Sequence, residues 1–226
     1  MKNILFATIF GFALMQSACL TSLHPLVTAE SIVSENRVIG NWVADDVAIH
    51  ISPFKESKSY KGFTEMQSMS KLSSLGAATG LQKDSIMYEK GYSVRYSKDG
   101  VEYALFGALT RIGDGLYFDL IPVLAEDAAD RQSEGFEYTN NYLPSFTMAR
   151  LDIANNNTMT LQFLNGEFIK ELLKKGQAGI KHEKNELFET FLVTASSKEL
   201  QQFIGKYSRD ERLFSKENSV TLTRKG

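Results

Sequence analysis

The feature that most constrains this chain is an alternating, glycine-punctuated run between positions 92 and 122. Tyr92, Val94 and Tyr96 alternate with Ser93 and Arg95, and a side-chain period of two is the mark of a strand with one buried face. Asp99-Gly100 follows, a pair suited to the positive φ angles of a two-residue hairpin turn. Val101 to Ile112 returns as a strand, and Gly113-Asp114-Gly115 turns the chain into Leu116 to Pro122. Three antiparallel strands in sequence commit the chain to a sheet whose edges must be paired, covered or closed on themselves. Further strand signals extend it. Ile39 to Ala44 and Val47 to Ser52 precede the meander. Phe146 to Ile153 and Met159 to Leu164 flank Asn155-Asn156-Asn157 as a second hairpin, with Met159, Leu161 and Phe163 on one face. Phe188 to Thr194 and Ser219 to Thr223 complete the set.

Two helices interrupt the strands. Asn165 is placed to cap a helix over Gly166 to Lys175, in which Phe168, Ile169, Leu172 and Leu173 form one apolar stripe and Gly176 is the stop. Ser196 with Glu199 three residues on is a capping box. It opens a second helix whose buried face is Leu200, Phe203, Ile204 and Tyr207. The fold class expected is therefore α+β and β-rich. An antiparallel meander forms a barrel or strongly bent sheet, with two helices in the C-terminal half, in a single globular domain over 38–226. Two segments stand outside this pattern. Residues 63–82 read as a loose helix or packed flap, and residues 124–142 read as an acidic loop.

The N-terminus carries an address. Lys2 precedes the uncharged run Ile4 to Met15, and Ser17 and Ala18 lead to Cys19, the single cysteine. This layout is that of a secretory signal, here residues 1–18, and is too short for a membrane span. Small residues before a cysteine resemble the lipobox of bacterial lipoproteins, although Gln16 stands where an aliphatic residue is usual. That resemblance implies lipidation at Cys19 and membrane attachment through the N-terminal lipid, while the mix of Ser, Thr and Pro25 with scattered Leu and Val, without a persistent period, reads as a tether over 19–37. Leu20, rather than an aspartate, follows the cysteine, and no acidic run comes next. The expected location is thus the outer membrane, facing the periplasm. The alternative is an ordinary signal cut after Ala29, which would discard Cys19 and release a periplasmic protein. Loss of Lys2 with the signal changes the net charge from −2 to −3. This near-neutral balance excludes a nucleic-acid binder, which needs a basic face.

Gly40-Asn41-Trp42 heads the first strand and Arg224 closes the last. Together with the antiparallel hairpins, this resembles the lipocalin-like (calycin) arrangement. The resemblance implies that Trp42 packs at a closed barrel end beneath the basic side chain of Arg224, a cation–π contact. A second resemblance runs along most of the chain beyond the signal. Its pieces include Ser22-Leu23-His24-Pro25-Leu26, Leu116 to Pro122, Phe163 to Ile169 and Leu192 to Ala195. It is to a group of uncharacterised bacterial lipoproteins and implies no activity.

Chemistry is sparse. His24, His50 and His182 share no ligand spacing, and no nucleophile elbow, P-loop, dinucleotide fingerprint or zincin motif occurs. No catalytic residue, metal or cofactor is expected. Asp119 interrupts an apolar strand and points with Tyr117 and Ile121 away from Leu116, Phe118 and Leu120. Its bland reading is a solvent-facing position or a cross-strand ion pair. Its functional reading is a polar group in a cavity with Tyr103, Tyr117 and Arg150, or with Arg111 as partner. The function expected is a non-enzymatic module that binds a small apolar ligand. The alternative is an interaction lipoprotein that docks an envelope partner through 124–142 or 63–82.

Overall fold

The computed structural model describes residues 20–57, 86–98, 100–122, 145–154, 157–185, 187 and 190–225. The expected helix or flap at 63–82 and the acidic loop at 124–142 lie outside the described residues.

Eight antiparallel strands close into a barrel. They are β3 (Gly40–Ala44), β4 (Val47–Pro53), β5 (Tyr92–Lys98), β6 (Val101–Ile112), β7 (Gly115–Pro122), β8 (Phe146–Ala154), β9 (Thr158–Phe163) and β12 (Ser219–Arg224). Each pairs with its neighbour in that order. β12 joins β9 to β3, and the β8–β9 pairing completes the ring. Four short strands attach outside it. β1 (Thr21–Ser22) runs along the start of β8 and parallel to β11 (Thr190–Val193), which pairs with β10 (His182–Asn185). β2 (Ile32–Val33) covers β6 beyond its pairing with β5.

Alternation sorts the barrel strands into two apolar sets. Inward go Trp42, Ile49, Ile51, Val94, Leu109, Phe118, Leu151, Met159, Leu161 and Leu222, which form one buried cluster. An eight-stranded barrel is just wide enough for its side chains to fill it, and these residues do so. Gly107 marks the tightest packing: a Cβ there would lie 2.5 Å from the Phe118 ring.

Outward from β7 and β8 go Tyr117 and Met148, which join a second cluster with α2 (Gly166–Lys174) and α3 (Ser197–Tyr207). Both helices start as their sequences dictate. The Asn165 side chain accepts from the backbone N–H groups of Glu167 and Phe168, and Ser196 and Glu199 form the reciprocal capping box. A third cluster gathers Val27, Ile32, Phe54, Met87 of α1 (Ile86–Lys90), Phe106, Ile121 and Phe146.

One expectation is overturned. Residues 20–37 are not a free tether. Leu20, Leu26, Val27 and Ile32 are each under 5% exposed, and the segment crosses the outside of β6, β7 and β8 as a strap. Its apolar residues show no period because it meets the barrel at irregular points and forms only two-residue strands.

Candidate functional site

The up-and-down topology gives the barrel two different ends. At one, β3, β5, β7 and β9 begin and β4, β6, β8 and β12 finish. This end is plugged. Trp42 is fully buried and its Nε1–H donates to the Val38 carbonyl at 2.7 Å. The Arg224 guanidinium lies 4.2 Å from the Trp42 ring centre and donates to the carbonyls of Ile39 (2.7 Å) and Arg37 (2.6 Å). Gly40 sits at φ 140°, and a Cβ there would collide with the Arg224 guanidinium. A 3-10 turn over Asn36–Val38 brings Val38 into the interior cluster across this end.

The opposite end is a mouth. Val47, Tyr96, Leu105, Phe163 and Val220 share the inward phase and pack on the interior cluster, yet each is only partly buried. β6 projects here past its last pairing with β7 at Leu105. The projecting hairpin leaves Val101 50% and Tyr103 52% exposed, with the Tyr103 ring 5.8 Å from Tyr96. Apolar groups therefore ring the mouth and face outward from a filled core.

Asp119 lies in neither place. It points outward from β7 and is 2% exposed, covered by the strap. Its Oδ2 accepts from the Val27 N–H at 2.6 Å, while no hydrogen bond reaches the buried Oδ1. Burial pushes its carboxyl up to about 7, against the opposing pull of the Val27 and Leu26 N–H groups. The solvent-facing reading of Asp119 is thus corrected: alternation placed the side chain on the outer face, and the strap then buried that face. Nor do the four candidate cavity residues assemble. Tyr117 is buried on the outer face against Phe214, ring centres 5.5 Å apart. Arg150, opposite Tyr117 across the β7–β8 pairing, is exposed, as is Arg111. Tyr103 is at the mouth. They fail to converge because Tyr103 has the inward phase, whereas Tyr117, Asp119 and Arg150 have the outward one.

A further concavity of about 500 Å³ lies outside β3–β6, where Asn41, His50, Arg95, Ser97, Glu102 and Lys225 meet. His50 shares a 2.7 Å hydrogen bond with Asn41, and Arg95 pairs with Glu102 at 3.5 Å. Four of its polar side chains thus pair with one another. Among the described residues, no set of three or more His, Cys, Asp or Glu could hold a metal, and no helix is long and apolar enough to cross a membrane.

No family model matches the chain, and no curated protein or solved structure is significantly similar to it. Function is read instead from the asymmetry of the barrel's two ends. The mouth residues that sequence reasoning passed over, Val47, Leu105 and Val220, carry a weak signal. They are apolar residues at strand ends, where a rim turning toward water would ordinarily be polar.

Proposed function

We propose that this chain is a lipid-anchored envelope protein that serves as a non-enzymatic binding module, taking a small apolar ligand at the open mouth of its barrel. The observation that carries the reading is the contrast between the ends: one sealed by Trp42 under Arg224, the other ringed by half-buried apolar side chains. Half-exposed apolar side chains gathered at one end of a barrel are what a seat for an apolar molecule presents. The filled interior limits the ligand to a shallow seat on Tyr96, Leu105 and Phe163, flanked by Tyr103. The charged N-terminus, apolar run and Ser17-Ala18-Cys19 of the sequence support anchoring through Cys19, with the barrel facing the periplasm from the outer membrane. The Gly40–Trp42 motif under Arg224 supports kinship with the lipocalin-like proteins.

The test is native mass spectrometry of protein purified from its cells. An apolar adduct is expected on the wild type and is expected to be lost in Tyr96→Ser/Tyr103→Ser. Unliganded protein in both would overturn the reading. Incorporation of a fatty-acid analogue, abolished by Cys19→Ala, tests the anchor. Its failure would favour cleavage after Ala29.

A second reading rests on the exposure of Val101 and Tyr103 on a projecting hairpin, a shape also suited to docking an envelope protein. In this reading the partner is bound through 124–142 or 63–82. Loss of a co-purifying partner on deletion of either segment would favour docking over ligand binding.

A further inference from the structure

One of the contacts that hold the strap to the barrel is made by a buried acid. Leu20 to Val33 makes two-residue pairings at each end, Thr21–Ser22 with β8 and β11 and Ile32–Val33 with β6. Between these pairings, besides the Leu23 N–H donating to the Val193 carbonyl at 2.8 Å, it is fixed at three polar points. The Thr110 hydroxyl donates to the Ser31 carbonyl at 3.0 Å. The Gln201 amide donates to the Leu26 carbonyl at 2.8 Å and to the Ser31 hydroxyl at 3.0 Å. The Val27 N–H donates to Asp119 at 2.6 Å. The first two contacts join neutral groups. The third joins a carboxyl group that water cannot reach while the strap is down, and whose second oxygen has no hydrogen bond.

Among the described residues no charge compensates it. Ala108 of β6 and Met148 of β8 are its cross-strand neighbours, Leu26 and Val27 cover it from the strap, and α3 approaches through the neutral Gln201. The nearby titratable groups are engaged elsewhere or exposed. The Tyr117 hydroxyl, two residues along β7, lies toward Arg150 and Ser208, Lys90 donates to the Ile32 carbonyl, and Glu30 of the strap is exposed. Among the described residues no ion pair includes Asp119.

We propose that the Asp119–Val27 contact is a proton-operated clasp: the strap lies closed over the neutral carboxylic acid and is released from the barrel when the group ionises. A charged carboxylate with an unpaired oxygen is costly in an apolar seat. Lifting Leu26 and Val27 lets water solvate it, whereas the neutral acid can stay covered. One proton is lost for each opening event, and no other group need change. In a chain anchored through Cys19 the strap is the segment next to the membrane, so the clasp would set how closely the barrel is held to it. The clasp itself requires no lipid.

Hydrogen exchange of the full chain, corrected for the pH dependence of the intrinsic rate, reads the opening directly. Protection of the strap amides is expected to fall about 50-fold between pH 5 and pH 7, the loss that one buried carboxyl titrating near neutrality produces. Amides of β6 and β7 that exchange only by global unfolding share this linkage, and should stay better protected than the strap by a constant factor at every pH. Asp119→Asn, which retains an acceptor for the Val27 N–H, is expected to hold strap protection within about twofold over the same range. The proposal is overturned by flat strap protection in the wild type. An equal fall in Asp119→Asn, or strap amides protected as well as those of β6 and β7 and therefore opening only with the whole barrel, also overturns it. Should Asp119→Asn fail to fold, a carbon-13 titration of Asp119 in the wild type decides: a midpoint in the ordinary aspartate range sinks the clasp.

Discussion

The two ends of the barrel are built from the same alternating strands and are finished in opposite ways. At the plugged end the indole N–H, the guanidinium and three backbone carbonyls bond to one another, and the Trp42 ring lies across the opening. At the mouth most inward residues are apolar, with Lys98, paired with Asp46, and Thr147 among them, and nothing among the described residues completes the burial of the apolar ones. The difference teaches where stability and function reside. Sealing an end takes a large aromatic, a cation to lie on it and a glycine to let the cation approach. An end without those three keeps its apolar surface for something else.

The contrast breaks most visibly at Trp42. Trp42→Ala removes the plug and leaves a cavity, so urea denaturation is expected to show a loss of about 3–5 kcal/mol. A loss under about 1 kcal/mol would mean that the plugged end is not closed by this residue. Next comes the strap. Asp119 is raised from 3.8 to about 7, so folding binds a proton that the unfolded chain has released. Stability is fully present below the unfolded value and falls as pH rises through the folded one, by about 3 kcal/mol between pH 5 and pH 8. Glu35 and Glu199, held down to about 2 by Arg37 and Lys181, change stability only below about pH 4.5, outside this window. Asp119→Asn should flatten the profile measured by thermal melts. Arg224→Ala, which strips the cation and two hydrogen bonds from the plug, is expected to lose about 2 kcal/mol. Arg224→Lys should recover only part, because the planar fork reaches two carbonyls at once. Smallest is Tyr103→Ser at the mouth, expected to change stability by under about 0.5 kcal/mol while reducing uptake of an apolar fluorophore. Equal losses of stability at Tyr103 and Trp42 would erase the distinction between the ends.

Much of this was legible in the chain. The strand expected over Val101 to Ile112 is β6 over the same residues. Asn165 caps α2, and Ser196 with Glu199 forms the box that starts α3. These features are local: a period, a turn residue or a cap declares itself within a few positions. The strap was not legible, because Thr21 finds Leu192 and Ile32 finds Thr110, and no local rule joins residues so far apart. α1, β2 and β10 were missed for the same reason, being too short to show a period. Asp119 was half legible. Its alternation with Phe118 and Leu120 was evident, and its burial was written in a quieter signal. Along Leu105 to Thr110 and Leu116 to Ile121 the residues are apolar on both faces, unlike β4, where His50 and Ala48 face solvent. Strands apolar on both sides are covered on both sides, and here the cover is the strap and α3. The mouth was hidden because exposure at a strand end depends on where the neighbouring strand stops.

The join between β3 and β12 has a consequence for how the barrel is made. Arg224 pairs with Trp42, so the last closure joins positions near opposite ends of the chain. Closing so long a loop is slow, because the ordering cost falls due before any contact rewards it. A chain that emerges N-terminus first, as it does from the ribosome, presents β3 as an open edge until Ser219–Arg224 arrive. During that interval it needs protection from edge-to-edge pairing. A chain cut short before Ser219 would keep that edge, and a missing plug, for its whole lifetime.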